Sequence, residues 1–258
     1  MVDLRSRRAA FRDLHAKGHF MLPNPWDIGS ARRLQALGFP ALASTSAGLA
    51  WSLGRDDGDV TLDEVLAHLR ELVAATELPV NADFEAGFAD RPDDVAANVR
   101  LAVETGVAGL SIEDRTGTQL YDLPLAVERI RASREAIDRT GEDVLLVGRT
   151  EGFLIGRTQL DATIERLVAY ADAGADVLYA PGVTEAGAIE AIVAAVAPKP
   201  VNVLLLKPGM KVSDMAPLGV RRTSVGGCLA RAAWAGFQEA AEQLRSEGSL
   251  PGSCFRRI

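Results

Sequence analysis

Short apolar runs alternate with amphipathic stretches along almost the whole chain. The charged opening, Met1 to Arg12, reads as a short helix. His19 to Pro23 is a brief apolar run. Asp27 to Gly38 then carries Ile28, Ala31, Leu34 and Leu37 at the spacing of one helix face. Asn24 is expected to cap that helix, with Pro25 in its first turn and Gly38 ending it. The unit recurs. Apolar Ala41 to Ser46 and a loop rich in Gly and Asp lead to helical Leu62 to Ala75, which Thr61 caps. Pro79 to Asp83 leads to Pro92 to Thr105, and Val107 to Ile112 to a loop and a long helix from Pro124 to Gly141. Val144 to Val147 precedes Leu160 to Ala173, and Ala175 to Tyr179 precedes Glu185 to Val196. Pro200 to Leu206 precedes a weaker helix over Val212 to Leu218, and Val220 to Val225 precedes Leu229 to Leu244. The tail from Gly248 reads as irregular.

Strict alternation calls for a parallel sheet covered by helices. Eight units closing on themselves predict an α/β fold of the (β/α)8, or TIM barrel, type with a short N-terminal helix. A doubly wound open sheet is the alternative, but no Gly-x-Gly-x-x-Gly follows the first strand. No linker or low-complexity run interrupts the pattern, so a single barrel domain is expected over residues 1–258, and a chain that is 48% hydrophobic can fill its core. The formal charge of −7 excludes a general affinity for nucleic acid or anionic membrane. No apolar run is long enough to span a bilayer. Cys228 and Cys254 have no metal-type spacing, which suits a reducing cytoplasm.

The active site of such a barrel lies at the carboxyl ends of its strands. Those ends are polar here: Asn24; Ser44, Thr45 and Ser46; Asn81, Asp83 and Glu85; Glu113 and Asp114; Arg149 and Glu151. The opposite ends carry mainly Gly, Pro and Ala. Asn81, Asp83 and Glu85 alternate onto one strand face and are oxygen donors of the kind a hard cation such as Mg2+ takes. Asp57, Asp83 and Glu113 come from neighbouring strand ends and loops and are expected to share one metal. Asp57 alone is also ordinary turn chemistry in a Gly-rich loop. Arg149 reaches the same mouth, where its guanidinium would grip a carboxylate at two points or pair with Glu113, Asp114 or Glu151. Ser46, Ala47 and Gly48 offer a hydroxyl and backbone N–H groups to an anion.

Some chemistries are disfavoured. His15, His19 and His68 lie on helices or at the first strand, away from the expected mouth. The sixth strand has no lysine, and Lys207 after the seventh reads as a solvated loop residue, which weakens Schiff-base chemistry. Cys228 reads as a small buried helix residue.

Ser46-Ala47-Gly48-Leu49, Arg55-Asp56-Asp57-Gly58, Asn81-Ala82-Asp83, Ser111-Ile112-Glu113-Asp114 and Gly148-Arg149-Thr150-Glu151 together resemble the isocitrate lyase/phosphoenolpyruvate mutase superfamily over nearly the whole chain. The resemblance implies a (β/α)8 barrel, often a homotetramer exchanging its last helix. It also implies Mg2+, with Mn2+ as the alternative, and small α-keto or α-hydroxy carboxylates whose C–C or C–P bonds are made or broken through an enolate. By it, Asp57, Asp83 and Glu113 are metal-shell carboxylates. Arg149 with Ser46, Ala47 and Gly48 clamps the substrate carboxylate, and Arg149 and Glu113 are the catalytic residues. Three positions depart from the pattern. Asn81 stands where the family has aspartate. Thr116-Gly117-Thr118-Gln119 replaces the lyases' Lys-Lys-Cys-Gly-His loop. Ser44 replaces the mutase's aromatic residue, and the mutase's gating asparagine has no counterpart.

The expectation is therefore an Mg2+-dependent lyase cleaving C–C bonds of a small α-keto or related dicarboxylate, by oxaloacetate-type decarboxylation or retro-aldol cleavage. Phosphoenolpyruvate mutase-type C–P chemistry is the second enzyme reading. A barrel that binds an oxo acid without turning it over is the reading from another class. The loop from Arg115 to Leu123, with Tyr121 and Asp122, separates it from the others. A homo-oligomer, dimer or tetramer, is expected.

Overall fold

The computed structural model describes residues 3–255. Eight parallel strands form one sheet: β1 (Phe20–Leu22), β2 (Leu42–Ala43), β3 (Val80–Asp83), β4 (Gly109–Glu113), β5 (Leu145–Arg149), β6 (Val177–Tyr179), β7 (Val201–Leu204) and β8 (Arg222–Ser224). Each strand from β2 onward pairs with the next, and β8 returns to pair with β1. The seam between β1 and β2 is joined by Ala43 N–H donating to Pro23 O at 3.0 Å. The expected (β/α)8 barrel is the fold observed.

Asn24 works at this seam rather than as a helix cap. Its Nδ2 donates to Ser44 O at 2.9 Å, and its Oδ1 accepts from the N–H groups of Val225 and Gly226 at 3.0 and 2.9 Å. It therefore ties together the chain ends of β1, β2 and β8. Asp27 caps helix α2 (Ile28–Ala36) instead, in a reciprocal capping box with Ser30. Its carboxylate lies one turn closer to the free N–H groups, so it wins that role.

Helix α1 (Leu4–Ala16) closes the barrel from below. Phe11 and His15 are buried against Phe20, with ring centroids 4.6 Å apart for Phe11–His15 and 5.0 Å for His15–Phe20. Arg7 donates to Val73 O at 2.8 Å, and Arg8 to Val103 O and Val107 O at 3.0 Å. Val73 and Val103 sit in the last turns of α4 (Leu62–Ala75) and α5 (Pro92–Glu104), where free carbonyls and the helix dipole favour cations. The plug leaves no room at Gly109. A Cβ there would lie 2.8 Å from both Phe11 Cε1 and Asn81 Oδ1, and 3.2 Å from the backbone oxygen of Leu145. Gly109→Ala is therefore expected to cost about 1–3 kcal/mol by overpacking, read from the denaturant midpoint. An unchanged midpoint would mean that the plug yields freely.

Two elements differ from the expectation above the barrel. The stretch after β2 is not wholly loop: Thr45 caps a short helix, α3 (Ser46–Ser52). The loop after β4 folds into a two-stranded ribbon pairing Arg115–Thr116 with Gln119–Leu120. Helices α6 (Leu123–Thr140), α7 (Leu160–Asp172), α8 (Ala186–Val196), α9 (Val212–Met215) and α10 (Cys228–Glu247) complete the outer ring. Among the described residues, no helix is long and apolar enough to cross a membrane.

Candidate active site

The strand ends bring Asp83, Glu113, Arg149 and Glu151 together because β3, β4 and β5 are neighbours. Glu113 stands in register with Arg149 across β4 and β5. Three carboxylates surround the Arg149 guanidinium. Nη1 lies 3.0 Å from Asp83 Oδ1, Nη2 3.3 Å from Glu113 Oε2, and Nε 2.5 Å from Glu151 Oε1. Burial opposes the charge, but Glu151, Glu113 and Asp83 together hold the guanidinium protonated, well above its ordinary range. Arg149 is thus both a strand-end cation and the centre of an ion-pair network, and the two readings of it coincide.

Asp114 faces away from Arg149. It accepts from Tyr170 Oη at 2.6 Å, Arg166 Nη1 at 3.2 Å and Glu151 N at 2.9 Å. It sets the turn after β5 rather than the chemistry of the mouth.

The expected clamp amides are unequal. Ser46 N–H donates to Asp83 Oδ2 at 3.0 Å, and Gly48 N–H donates to Thr45 Oγ1 at 3.3 Å. Gly48 is needed for packing, since a Cβ there would lie 2.6 Å from Thr45 Cγ2 and 2.8 Å from Trp26 Cβ. Ala47 N–H has no hydrogen-bond partner among the described residues and borders the cavity below the mouth. Asp57 sits at the exposed rim of the same opening, beside Ser46. Partial burial raises its carboxyl against the pull of a Ser46 hydrogen bond, and Asp83 pushes it the same way as burial.

Glu85 adds a fifth carboxylate to Asp83, Glu113, Glu151 and Asp57. Its backbone is left-handed at φ 46°, as is that of Phe88 at φ 57°, a conformation that side chains resist. The loop is held in that shape from outside. Glu113 N–H donates to Glu85 O at 3.0 Å. Buried Arg129 reaches from α6 to the carbonyls of Ala86, Ala89 and Asp90 and lies over the Tyr121 ring at 4.2 Å. The Tyr121 hydroxyl donates to Asp90. Tyr121, one of the two residues singled out in the loop from Arg115 to Leu123, therefore serves as a clasp. Lys207 is exposed and pairs with Glu185 at 3.0 Å.

Glu85 Oε1 is buried with no hydrogen-bond partner. Burial first, then Asp83 and Asp57, push its carboxyl up from 4.5 to about 7. Burial likewise raises Glu113, with Arg149 opposing and Glu151 reinforcing. Carboxylates that resist ionisation beside one shared arginine form a site short of positive charge. An all-oxygen donor set with an orphaned oxygen fits a hard divalent cation. Among the described residues, no group of three or more His, Cys, Asp or Glu is closed into a metal-binding cluster. Asp83 is instead turned onto Arg149.

A pH effect follows. The folded protein holds the extra Glu85 proton between about 4.5 and 7, so stability falls as pH rises through that interval. In EDTA, the loss is expected to be on the order of 1–3 kcal/mol after allowance for partial exposure. Urea titrations between about pH 5 and pH 7.5 should show it in wild type and a smaller loss in Glu85→Gln. Identical slopes would remove Glu85 as the cause.

An outer cavity of about 620 Å3 opens above these groups, and an inner one of about 150 Å3 lies below them inside the barrel. The sequence reading missed the inner cavity and the residues that floor it, Arg222, Asn202, Ser224 and Tyr179. The signal was present at Arg221-Arg222. Side chains alternate on a strand, so one of two adjacent arginines in a barrel strand must face inward.

Fold and site together define a (β/α)8 barrel whose acidic carboxyl-end mouth surrounds Arg149. The family described as phosphoenolpyruvate phosphomutase matches residues 11–245. The chain is 33% identical over 236 residues to an oxaloacetate decarboxylase of Rhodopseudomonas palustris, covering 86% of this chain and 78% of that one. It is 34% identical over 196 residues to the 2-methylisocitrate lyase of Escherichia coli, covering 71% and 65%. A solved Burkholderia cenocepacia structure described at the level of lyase/mutase superposes with TM-score 0.93 at 48% identity, over 98% of this chain and 96% of the other. The chain belongs to the isocitrate lyase/phosphoenolpyruvate mutase superfamily, whose members are lyases and mutases.

Proposed function

We propose that this protein is an Mg2+-dependent lyase that cleaves a C–C bond of a small α-keto or related dicarboxylate through an enolate. The observation that carries the reading is the sharing of Asp83 between Arg149 and the Ser46 amide, with Glu113, Glu85 and Asp57 around it. Such a site can hold a hard cation and an organic acid side by side. Asp83, Glu113 and Asp57 would hold the metal, directly or through water, with Glu85 beside them. When bound, the cation supplies Lewis-acid stabilisation of charge developing on the keto oxygen. Arg149 and a cation at this site would draw on the same Asp83 carboxylate, so with the cation in place a guanidinium edge of Arg149 would be left for the substrate carboxylate. Arg149 would grip that carboxylate at two points and steady the enolate as the C–C bond breaks. In decarboxylation the departing fragment is CO2, and in retro-aldol cleavage it is a carbonyl compound. In both, the electron pair of the broken bond passes to the keto oxygen. In retro-aldol cleavage the substrate hydroxyl gives its proton to a mouth carboxylate such as Glu113 or Glu85, and in either reaction the enolate takes up a proton to become product.

The relatives described as an oxaloacetate decarboxylase and a 2-methylisocitrate lyase support the C–C reading. The phosphoenolpyruvate phosphomutase description of the family keeps C–P chemistry as the second reading. The deciding experiment is a screen of short-chain oxo acids, hydroxy acids and phosphonates for release of a keto acid with Mg2+ and with EDTA. Mg2+-dependent cleavage of a carboxylate is expected. Turnover of phosphonates alone, or tight binding with no turnover of any compound, would overturn the lyase reading.

We also propose a homo-oligomer. Helix α10 leaves Trp234, Phe237 and Leu244 exposed on its surface, an apolar face that a second copy would cover. Both cysteines are free, which suits the reducing cytoplasm.

A further inference from the structure

The two cavities meet at Ser46, Asp57 and Arg149, which border both. Their charges differ. The outer one gathers Glu85, Asp90, Glu113 and Glu151 against Arg115 and Arg149, whereas the inner one has Asp57 and Asp83 beside Arg149 at its top and descends to Arg222. Arg222 is 2% exposed. Its Nε donates to Asn202 Oδ1 at 2.9 Å, and its Nη1 lies 3.3 Å from His15 Nε2 and 3.4 Å from Asn81 Oδ1. All three partners are neutral, since burial and then Arg222 itself push the His15 pKa down to about 3. Among the described residues, no carboxylate pairs with Arg222, and its Nη2 makes no hydrogen bond. Desolvation lowers its pKa to about 10, so it stays charged near neutrality. A buried charge without a counter-charge is costly, and removing the cost takes an anion. The surrounding wall can receive one. Ser224 Oγ accepts from Asn202 Nδ2 at 3.0 Å, which leaves its own proton to donate, and the Tyr179 hydroxyl borders the same space.

We propose that the inner cavity is a subsite for a second carboxylate of the substrate, received by Arg222 and Ser224, while the oxo- or hydroxy-acid end binds at Arg149. The proposal rests on the reading of the mouth as an oxo-acid site and adds where the second acid group of a dicarboxylate goes: on a short arm, against Arg222 and Ser224. The volume of about 150 Å3 has room for a carboxymethyl group. A carboxylate held by Arg222 keeps its charge and is not the group lost as CO2. Within the lyase class, the subsite therefore favours retro-aldol cleavage, in which that carboxylate is retained. Asn81 fits the same scheme. An aspartate there would neutralise Arg222, and asparagine leaves its charge for the ligand.

The test is calorimetric titration of the full chain in Mg2+ with two probes. Oxalate has directly joined carboxylates that are both used at the mouth, and malate adds a carboxymethyl arm. Arg222→Met is expected to weaken malate binding about tenfold or more, the worth of one charge-assisted contact, and to leave oxalate within about twofold. Asn202→Asp, which neutralises Arg222 in place, should do the same and carries the test if Arg222→Met does not fold. Malate binding as tight as wild type in a folded variant would overturn the subsite while leaving the mouth intact. So would equal losses for both probes. A wild-type protein that binds neither probe would overturn the reading of the mouth and the subsite with it.

Discussion

Asp83→Ala is expected to abolish Mg2+-dependent turnover and leave the barrel folded. The side chain makes two contacts, with Arg149 Nη1 at 3.0 Å and Ser46 N at 3.0 Å. Its loss does not strand the arginine, which keeps Glu113 and Glu151. The Ser46 amide is half-buried and water can replace its acceptor, so the stability cost should be about 1–2 kcal/mol. Activity is another matter. Lewis-acid stabilisation is worth several kcal/mol at the transition state, and each ~1.4 kcal/mol is a tenfold change in rate, so a fall of about a thousandfold or more is expected. Turnover with Mg2+ and with EDTA, beside a circular dichroism spectrum, reads both parts. Full turnover in the variant, or wild-type turnover undiminished by EDTA, would remove the metal assignment.

Arg149→Lys is expected to weaken oxalate binding about 10–100-fold in the presence of Mg2+, measured by calorimetry. Lysine preserves the charge, but one ammonium cannot reproduce a planar two-point grip. It must also serve Asp83, Glu113 and Glu151, which now engage three separate nitrogens. Wild-type oxalate affinity in this variant would assign Arg149 to the ion-pair network alone.

Much of this architecture was legible in the chain because barrel strands and helices announce themselves by period and by Gly and Pro punctuation. The mouth was legible for a related reason. Asp83, Glu113 and Arg149 end apolar runs, where a polar residue is out of place unless it works. The features that escaped depend on contacts between distant segments. Asn24 looks like a helix cap within its own segment, and only the closed seam shows it bridging β1, β2 and β8. Gly48 looks like a free amide, and only the packing of Thr45 and Trp26 shows why it is glycine. Arg222 is marked by its sequence only as the inward one of two adjacent arginines, and it lies 20 residues along the chain from Asn202 and 207 from His15. No local pattern could announce that the three meet inside the barrel.

The most direct measurement is anomalous diffraction from crystals grown with Mn2+ and oxalate. The expected result is a metal peak against Asp83, with Glu113 and Asp57 beside it and Arg149 turned from Asp83 onto oxalate. Mn2+ bound elsewhere, or no metal at the mouth with Arg149 still paired to Asp83, would contradict a cation-assisted oxo-acid site.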